Sequence, residues 1–244
     1  MAEPFVATTD PILSAFVTHF ETHFGAQLLA VVAYGSYLRG KRDTVLDFYL
    51  LLDSYAQLPI LPGIANRLLP PNVYNVTLDI GGARQTAKYA TVALEHFARC
   101  IADDFHSYFW ARFAQPCVVL QVRDQAVRVR IEALCRMAAE RLLVSCLAVM
   151  PRTFSSEALW RQAFTRSYGA ELRAEDPQAA VRLYNDYRDT LDAHLEALAV
   201  KLGLEPLASG EWRHQPTAAA AARADRAWRQ RRALGKCLSI ARLL

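Results

Sequence analysis

The sequence predicts an α/β (α+β) fold, a small sheet with flanking helices followed by a mainly helical second domain. Three observations carry that reading. Short apolar runs too brief for helices fall before residue 122, and helical periodicity dominates after it. Hydrophobic residues make up 53% and charged residues 21%, the balance of a chain that folds around a core. At 244 residues there is length for two domains.

The elements follow in order. Asp10-Pro11 opens a helical pattern with Ile12, Phe16 and Phe20 four residues apart, ending near Gly25. Leu28 to Tyr34 and Val45 to Leu52 read as two strands, joined by a loop with Gly35, Gly40 and several basic residues. The stretch from Pro59 to Pro71 reads as a Pro-rich connection. Val73 to Ile80 is a third strand, rich in β-branched and aromatic residues and closed by Gly81-Gly82. Its alternation places Tyr74, Val76, Leu78 and Ile80 on one face and Asn75, Thr77 and Asp79 on the other.

Leu94, Phe97, Ile101, Phe105 and Tyr108 trace one helical stripe to about Phe113, broken by Pro116. Helices are then expected over Val127 to Val149, from an N-cap at Ser156 to Tyr168, and over Pro177 to Leu202. These elements divide into 1–122, a sheet-bearing domain; 123–203, a helical domain; 204–216, a linker; and 217–244, a basic amphipathic C-terminal helix.

The composition excludes several classes. No run approaches the roughly 18 uncharged apolar residues of a membrane-spanning helix. MAEPFVATTD lacks a basic region followed by an apolar core, so a secretory signal is not expected and the cytoplasm is the default. Cys100, Cys117, Cys135, Cys146 and Cys237 show no CxxC spacing and read as buried free thiols. From Arg223 onward, seven basic residues stand against one acid, Asp225, so this tail is expected to meet an anionic surface. Apart from Trp228 the tail has no interleaved aromatics and there is no RNA-binding module, so no nucleic acid partner is expected. The chain stops at Leu243-Leu244 with no capping signal, which suggests that the natural protein continues.

One constellation carries chemistry. Tyr34-Gly35-Ser36 follows an apolar strand, where Gly lets backbone N–H groups approach a phosphate and the Ser hydroxyl donates one more hydrogen bond. Twelve residues beyond Gly35, Asp47 opens the next strand, where a carboxylate can reach Mg²⁺ held by those phosphates. Asp79 on the third strand is the candidate second metal ligand. His106 reads as structural or exposed, and Tyr108 and Trp110 as core.

Gly-Ser, a short basic loop and a strand-borne Asp resemble the nucleotidyltransferase superfamily, with Tyr49 where most members place a second acid. More particularly, AYGSYLRGKRDTVLDFYLLLD (33–53) resembles the mitochondrial-type CDP-diacylglycerol synthases, peripheral phosphatidate cytidylyltransferases, which have an Asp-Phe pair with no second acid. KYATVALEHFARCIADDFHSYFWARFAQPCVVL (88–120), SYGAELR (167–173) and the basic end RQRRALGKCLSIARLL are similar to further segments of that family. The family's Pro-Ser-His-Tyr-Ser box has no counterpart, and Ala90 replaces a Gly.

The resemblance implies a nucleotidyltransferase sheet in the first domain and transfer of CMP from CTP to phosphatidate, with Mg²⁺ as cofactor. It implies that Gly35 and Ser36 grip the CTP phosphates and that Asp47, with Asp79, holds Mg²⁺. Lys88 would neutralise phosphate charge, Arg112 would pair with a phosphate, and Tyr34 and Tyr89 would complete the substrate site. Ser36, Asp47 and Lys88 are the expected catalytic residues. The place implied is peripheral, on the inner face of a membrane, the matrix side if mitochondrial, with the C-terminal helix on anionic lipid. The alternatives are transfer to another acceptor, or a non-catalytic nucleotide-binding adaptor.

Overall fold

The computed structural model describes residues 10–56, 58–68, 71–171 and 178–241. Within them the fold is mixed α/β, with a five-stranded mixed sheet, a small three-stranded sheet and eight α-helices. The chain forms two compact units. Among the described residues the sheet unit takes those from Asp10 to Arg99 together with Pro116–Ala133, and the helical unit takes Cys100–Gln115 and those from Leu134 onward. The boundary therefore differs from a simple cut at residue 122: the segment Cys100–Gln115 leaves the first half, and residues 123–133 join it.

In the sheet unit, α1 (Pro11–Phe24) begins where the Asp10 carboxylate accepts hydrogen bonds from the N–H groups of Ile12 and Leu13. Leu13, Phe16, Phe20 and Phe24 form its buried stripe. Gly25, at φ 52°, then ends the helix. The strands β1 (Leu28–Tyr34), β2 (Leu46–Leu52), β3 (Asn72–Ile80), β4 (Ala83–Ala93) and β5 (Val118–Val122) lie in the order β3-β4-β2-β1-β5. Only β2 and β4 are parallel, because the chain crosses over through α2 (Ile60–Leu68) and β3 between them. β1 and β2 are buried along nearly their whole length, as strands covered on both faces must be. Phe16 and Phe20 of α1 meet Phe48 at 5.5 and 5.4 Å between ring centroids, and Phe20 meets Tyr89 at 5.1 Å.

Several elements differ from expectation. β4 falls where no element was expected: Ala and Lys are weak strand formers, but the segment pairs on both sides, with β2 and β3. α2 occupies the Pro-rich stretch, with Pro62 in its first turn where proline costs no helical hydrogen bond. The helix expected from Leu94 to Phe113 is two, α3 (Leu94–Ala102) and α4 (Tyr108–Ala114).

In the helical unit, α4 joins α5 (Gln125–Leu147), which begins in the sheet unit, with α6 (Ser156–Tyr168), α7 (Ala179–Ala199) and α8 (Ala218–Ala241). Trp110, Leu142, Leu143, Cys146, Trp160, Phe164, Leu191 and Leu195 are buried in its core. Each buried indole N–H finds a carbonyl: Trp110 donates to Ile101, Trp160 to Leu191 and Trp228 to Ser145. Ser155, one residue earlier than expected, caps α6 by accepting from the Ala158 N–H. The expected linker contains β7 (Glu205–Pro206) and β8 (Trp212–Arg213), which build a small sheet with β6 (Thr153–Phe154). Cys100, Cys117 and Cys146 are buried, whereas Cys237 is exposed, against the expectation for all five thiols.

The terminal helix is held to its own unit through Trp228, Arg231 and Gly235. Trp228 is buried, and the Arg231 guanidinium lies 4.7 to 5.0 Å from the rings of Phe105, Trp110 and Trp228 while its Nε–H donates to the Phe105 carbonyl. Gly235 sits against Ala170. Leu234 and Cys237 are exposed, and the side chain of Ile240 and the whole of Leu244 lie outside the described residues.

Candidate functional site

β1 ends at Tyr34, and Gly35 turns the chain at φ 92°, a conformation that favours glycine. A second reason for glycine is contact. Any Cβ at Gly35 would stand 2.7 Å from the Asp47 Oδ2 atom, so the carboxylate lies directly against the turn. Ser36 follows, its hydroxyl 2.9 Å from that of Thr44 and its carbonyl accepting from the N–H groups of Arg39 and Lys41. The basic loop is thus wound into a single turn around Ser36.

Asp10 ties that loop to the start of α1. Its Oδ2 accepts from the Tyr37 hydroxyl at 2.8 Å and from Arg42 at 2.9 Å. Burial opposes charge on this carboxyl, but hydrogen bonds from Tyr37, the Leu13 and Ile12 N–H groups and Arg42 outweigh it and hold its pKa below the ordinary value. Burial, and then the Asp10 hydrogen bond, raise the pKa of the Tyr37 hydroxyl. The sequence marked Asp10 only as a helix start, and nothing in the chain order signalled its second role.

Sheet register assembles the rest. Tyr34 on β1 pairs with Asp47 on β2, Asp47 with Lys88 on β4, and Lys88 with Asn75 on β3. Register partners share a face, so these four side chains form one row across the sheet on the face opposite α1. Asp47 and Lys88 are both half-buried. Tyr49, two residues along β2 on the same face, is fully buried, its ring 5.1 Å from that of Tyr34.

Three expected members stand apart from this row. Asp79 pairs with Arg84 near the far end of the β3-β4 hairpin, four register positions from the Asn75-Lys88 pair. At about 3.3 Å per residue this is roughly 13 Å, too far for Asp79 and Asp47 to share one ion. Tyr89 alternates to the other face, where it stacks on Tyr74 at 5.4 Å and packs among Phe20 and Phe24. Arg112 belongs to the helical unit, half-buried on α4 with its guanidinium 6.0 Å from the Tyr108 ring. His106 and Trp110 are buried there, and the His106 Nδ1 accepts from the Tyr108 N–H. Asn75 and Thr44, neither of which the motif named, join the row and the turn instead; the polar alternation of the third strand was the signal for Asn75.

Among the described residues, no group of three or more His, Cys, Asp or Glu side chains converges on a point. The donor set at the turn is one carboxylate beside a glycine turn and a hydroxyl. That set fits Mg²⁺ held mainly by substrate phosphates and water with one protein carboxylate, and does not fit a metal enclosed by protein ligands. Asp47 would be that ligand, and the ion would neutralise charge on a bound triphosphate.

No family model matches the chain, and no curated protein matches it. Among the described residues no helix is long and apolar enough to cross a membrane.

Proposed function

We propose that the sheet unit is a Mg²⁺-dependent nucleotidyltransferase whose substrates are CTP and phosphatidate. The observation that carries this reading is the contact of the Asp47 carboxylate with the Gly35 turn, with Lys88 in register on the next strand. Gly35 leaves the backbone open for phosphate oxygens, and the Ser36 hydroxyl, oriented by Thr44, donates to them. Lys88 offsets negative charge on the triphosphate or the acceptor as the two anions approach. A phosphatidate oxygen attacks the α-phosphorus of CTP and a new P–O bond forms. The bond from that phosphorus to the bridging oxygen of the β-phosphate breaks, and CDP-diacylglycerol and pyrophosphate result.

For the lipid acceptor, support comes from the segments resembling peripheral phosphatidate cytidylyltransferases and from α8. Its Arg223, Arg226, Arg229, Arg232 and Lys236 are exposed and suit anionic headgroups. This reading places the protein peripherally on the inner face of a membrane. The assay is pyrophosphate release from each of the four NTPs with Mg²⁺, with and without phosphatidate in mixed micelles. Release that requires both CTP and phosphatidate, and is lost in Asp47→Asn, is the expected result. The fully buried Tyr49, where most of the nucleotidyltransferase superfamily that the segment resembles has a second acid, favours a second reading, a non-catalytic nucleotide binder. Nucleotide binding without turnover would establish that reading, and turnover with another acceptor would retain the transfer chemistry and remove the lipid.

A further inference from the structure

In the sheet unit, α2 is amphipathic in the wrong sense for a protein in water. It buries its polar side: Asn66 is fully buried, donating to the Pro62 carbonyl and accepting from the Thr91 hydroxyl and the Asn72 N–H. Gly63 lies beneath it as well. The outward side carries Ile60, Leu61 and Leu68, which are 81%, 78% and 78% exposed, with Ile64 between them. Ile60, Ile64 and Leu68 recur every fourth residue, so they make one ridge along a helix about 13 Å long. Isolated exposed apolar residues are ordinary, but four contiguous ones on a helix anchored by its polar side are a contact surface.

We propose that this ridge inserts into the interfacial layer of a lipid bilayer. Shape argues for lipid: the surface is convex, and nine residues cannot bury the roughly 800 Å² per partner of a stable protein interface. Charge argues the same way. Between Asp53 and Asp79 there is no acid, and Arg67, exposed on α2, is the single charge, placed to reach headgroups while its neighbours enter the acyl boundary.

The edge strand β3 runs beside this surface. Thr91 shares a row with Leu50 on the α1 face, so α2 packs on that face beside the β3 edge. Val73, exposed on β3, points to the opposite face, the one bearing Asp47, and lies two residues from Asn75. From Asn75 the row runs through Lys88 to Asp47 across two strand spacings, about 10 Å. An edge seated on a bilayer would therefore offer a lipid headgroup a short path to Asp47, a link that rests on the transfer reading; insertion of the ridge does not.

The test is co-sedimentation of the full chain with vesicles of phosphatidylcholine, and of phosphatidylcholine with phosphatidate, at low and high salt. The variant replaces Ile60, Leu61, Ile64 and Leu68 with Ser. Binding about tenfold weaker or more on both vesicle types, persisting at high salt, is the expected result. Binding within twofold of the unaltered protein overturns the proposal, as does an unaltered protein that ignores vesicles but loses self-association in the variant. Ile64→Trp supplies an independent reading should the fourfold variant fold poorly: its added emission shifts to the blue with vesicles if the ridge inserts and stays unchanged if it does not. CTP binding without lipid, measured on the same samples and on Asp47→Asn, reads the transfer site separately, so either idea can fail alone.

Discussion

Gly35 combines a backbone requirement with a contact requirement, since φ is 92° and the Asp47 carboxylate occupies the space a side chain would need. Gly35→Ala is expected to cost about 1–2 kcal/mol from the left-handed conformation alone, and to displace Asp47. Nucleotide affinity should then fall by more than the change in melting temperature accounts for, which calorimetric titration and a thermal melt on the same sample would decide. Asp10 does two jobs at one atom pair, capping α1 and holding Tyr37 and Arg42. Loss of the cap in Asp10→Ala should cost about 1 kcal/mol. Because the folded pKa of Asp10 lies below the ordinary 3.8, its contribution is complete above that value and disappears as pH falls through the folded pKa. Chemical denaturation of Asp10→Asn should therefore show a shallower loss of stability in the acid range than the unaltered chain.

At the scale of elements, α8 is a docked helix whose contacts with its own unit run through Trp228, Arg231 and Gly235. A Cβ at Gly235 would come within 2.1 Å of the Ala170 carbonyl oxygen and 2.7 Å of the His106 Nε2 atom. Gly235→Ala must shift the helix or its support, at about 1–3 kcal/mol, seen as a lower melting temperature, whereas Ala233→Ser on the exposed side should leave it unchanged. The sequence placed this helix and its arginines but did not mark Trp228, Arg231 and Gly235 as its inward side. An arginine lying over three aromatic rings does not register as apolar in a periodicity, although burial pushes the Arg231 pKa down. The same blindness hid α2, whose buried side is Gly63 and Asn66. β4 was missed for another reason: its Ala-rich sequence has little strand preference of its own, and two neighbours supply its hydrogen bonds.

For the whole molecule, pH dependence should carry one further mark. Burial pushes the His194 imidazole on α7 down to about 4, from an ordinary 6.5. Between those values the unfolded chain takes up a proton that the folded chain refuses, so stability should fall as pH drops from about 6.5 toward 4. Denaturant midpoints across that range should fall less steeply in His194→Gln. The mixed α/β class, the three strands from Leu28 to Ile80, α1 with its cap and the position of Asp47 after a glycine turn were all legible in the chain, because hydrophobic period and turn chemistry are local properties. Which side chains meet was not. Strand register set Lys88 and Asn75 in line with Asp47, sent Asp79 to the far end of the hairpin and turned Tyr89 to the opposite face. Register depends on pairing between segments distant in sequence, and a shift of one residue exchanges the two faces of a strand, so the membership of the row was decided by the tertiary structure alone.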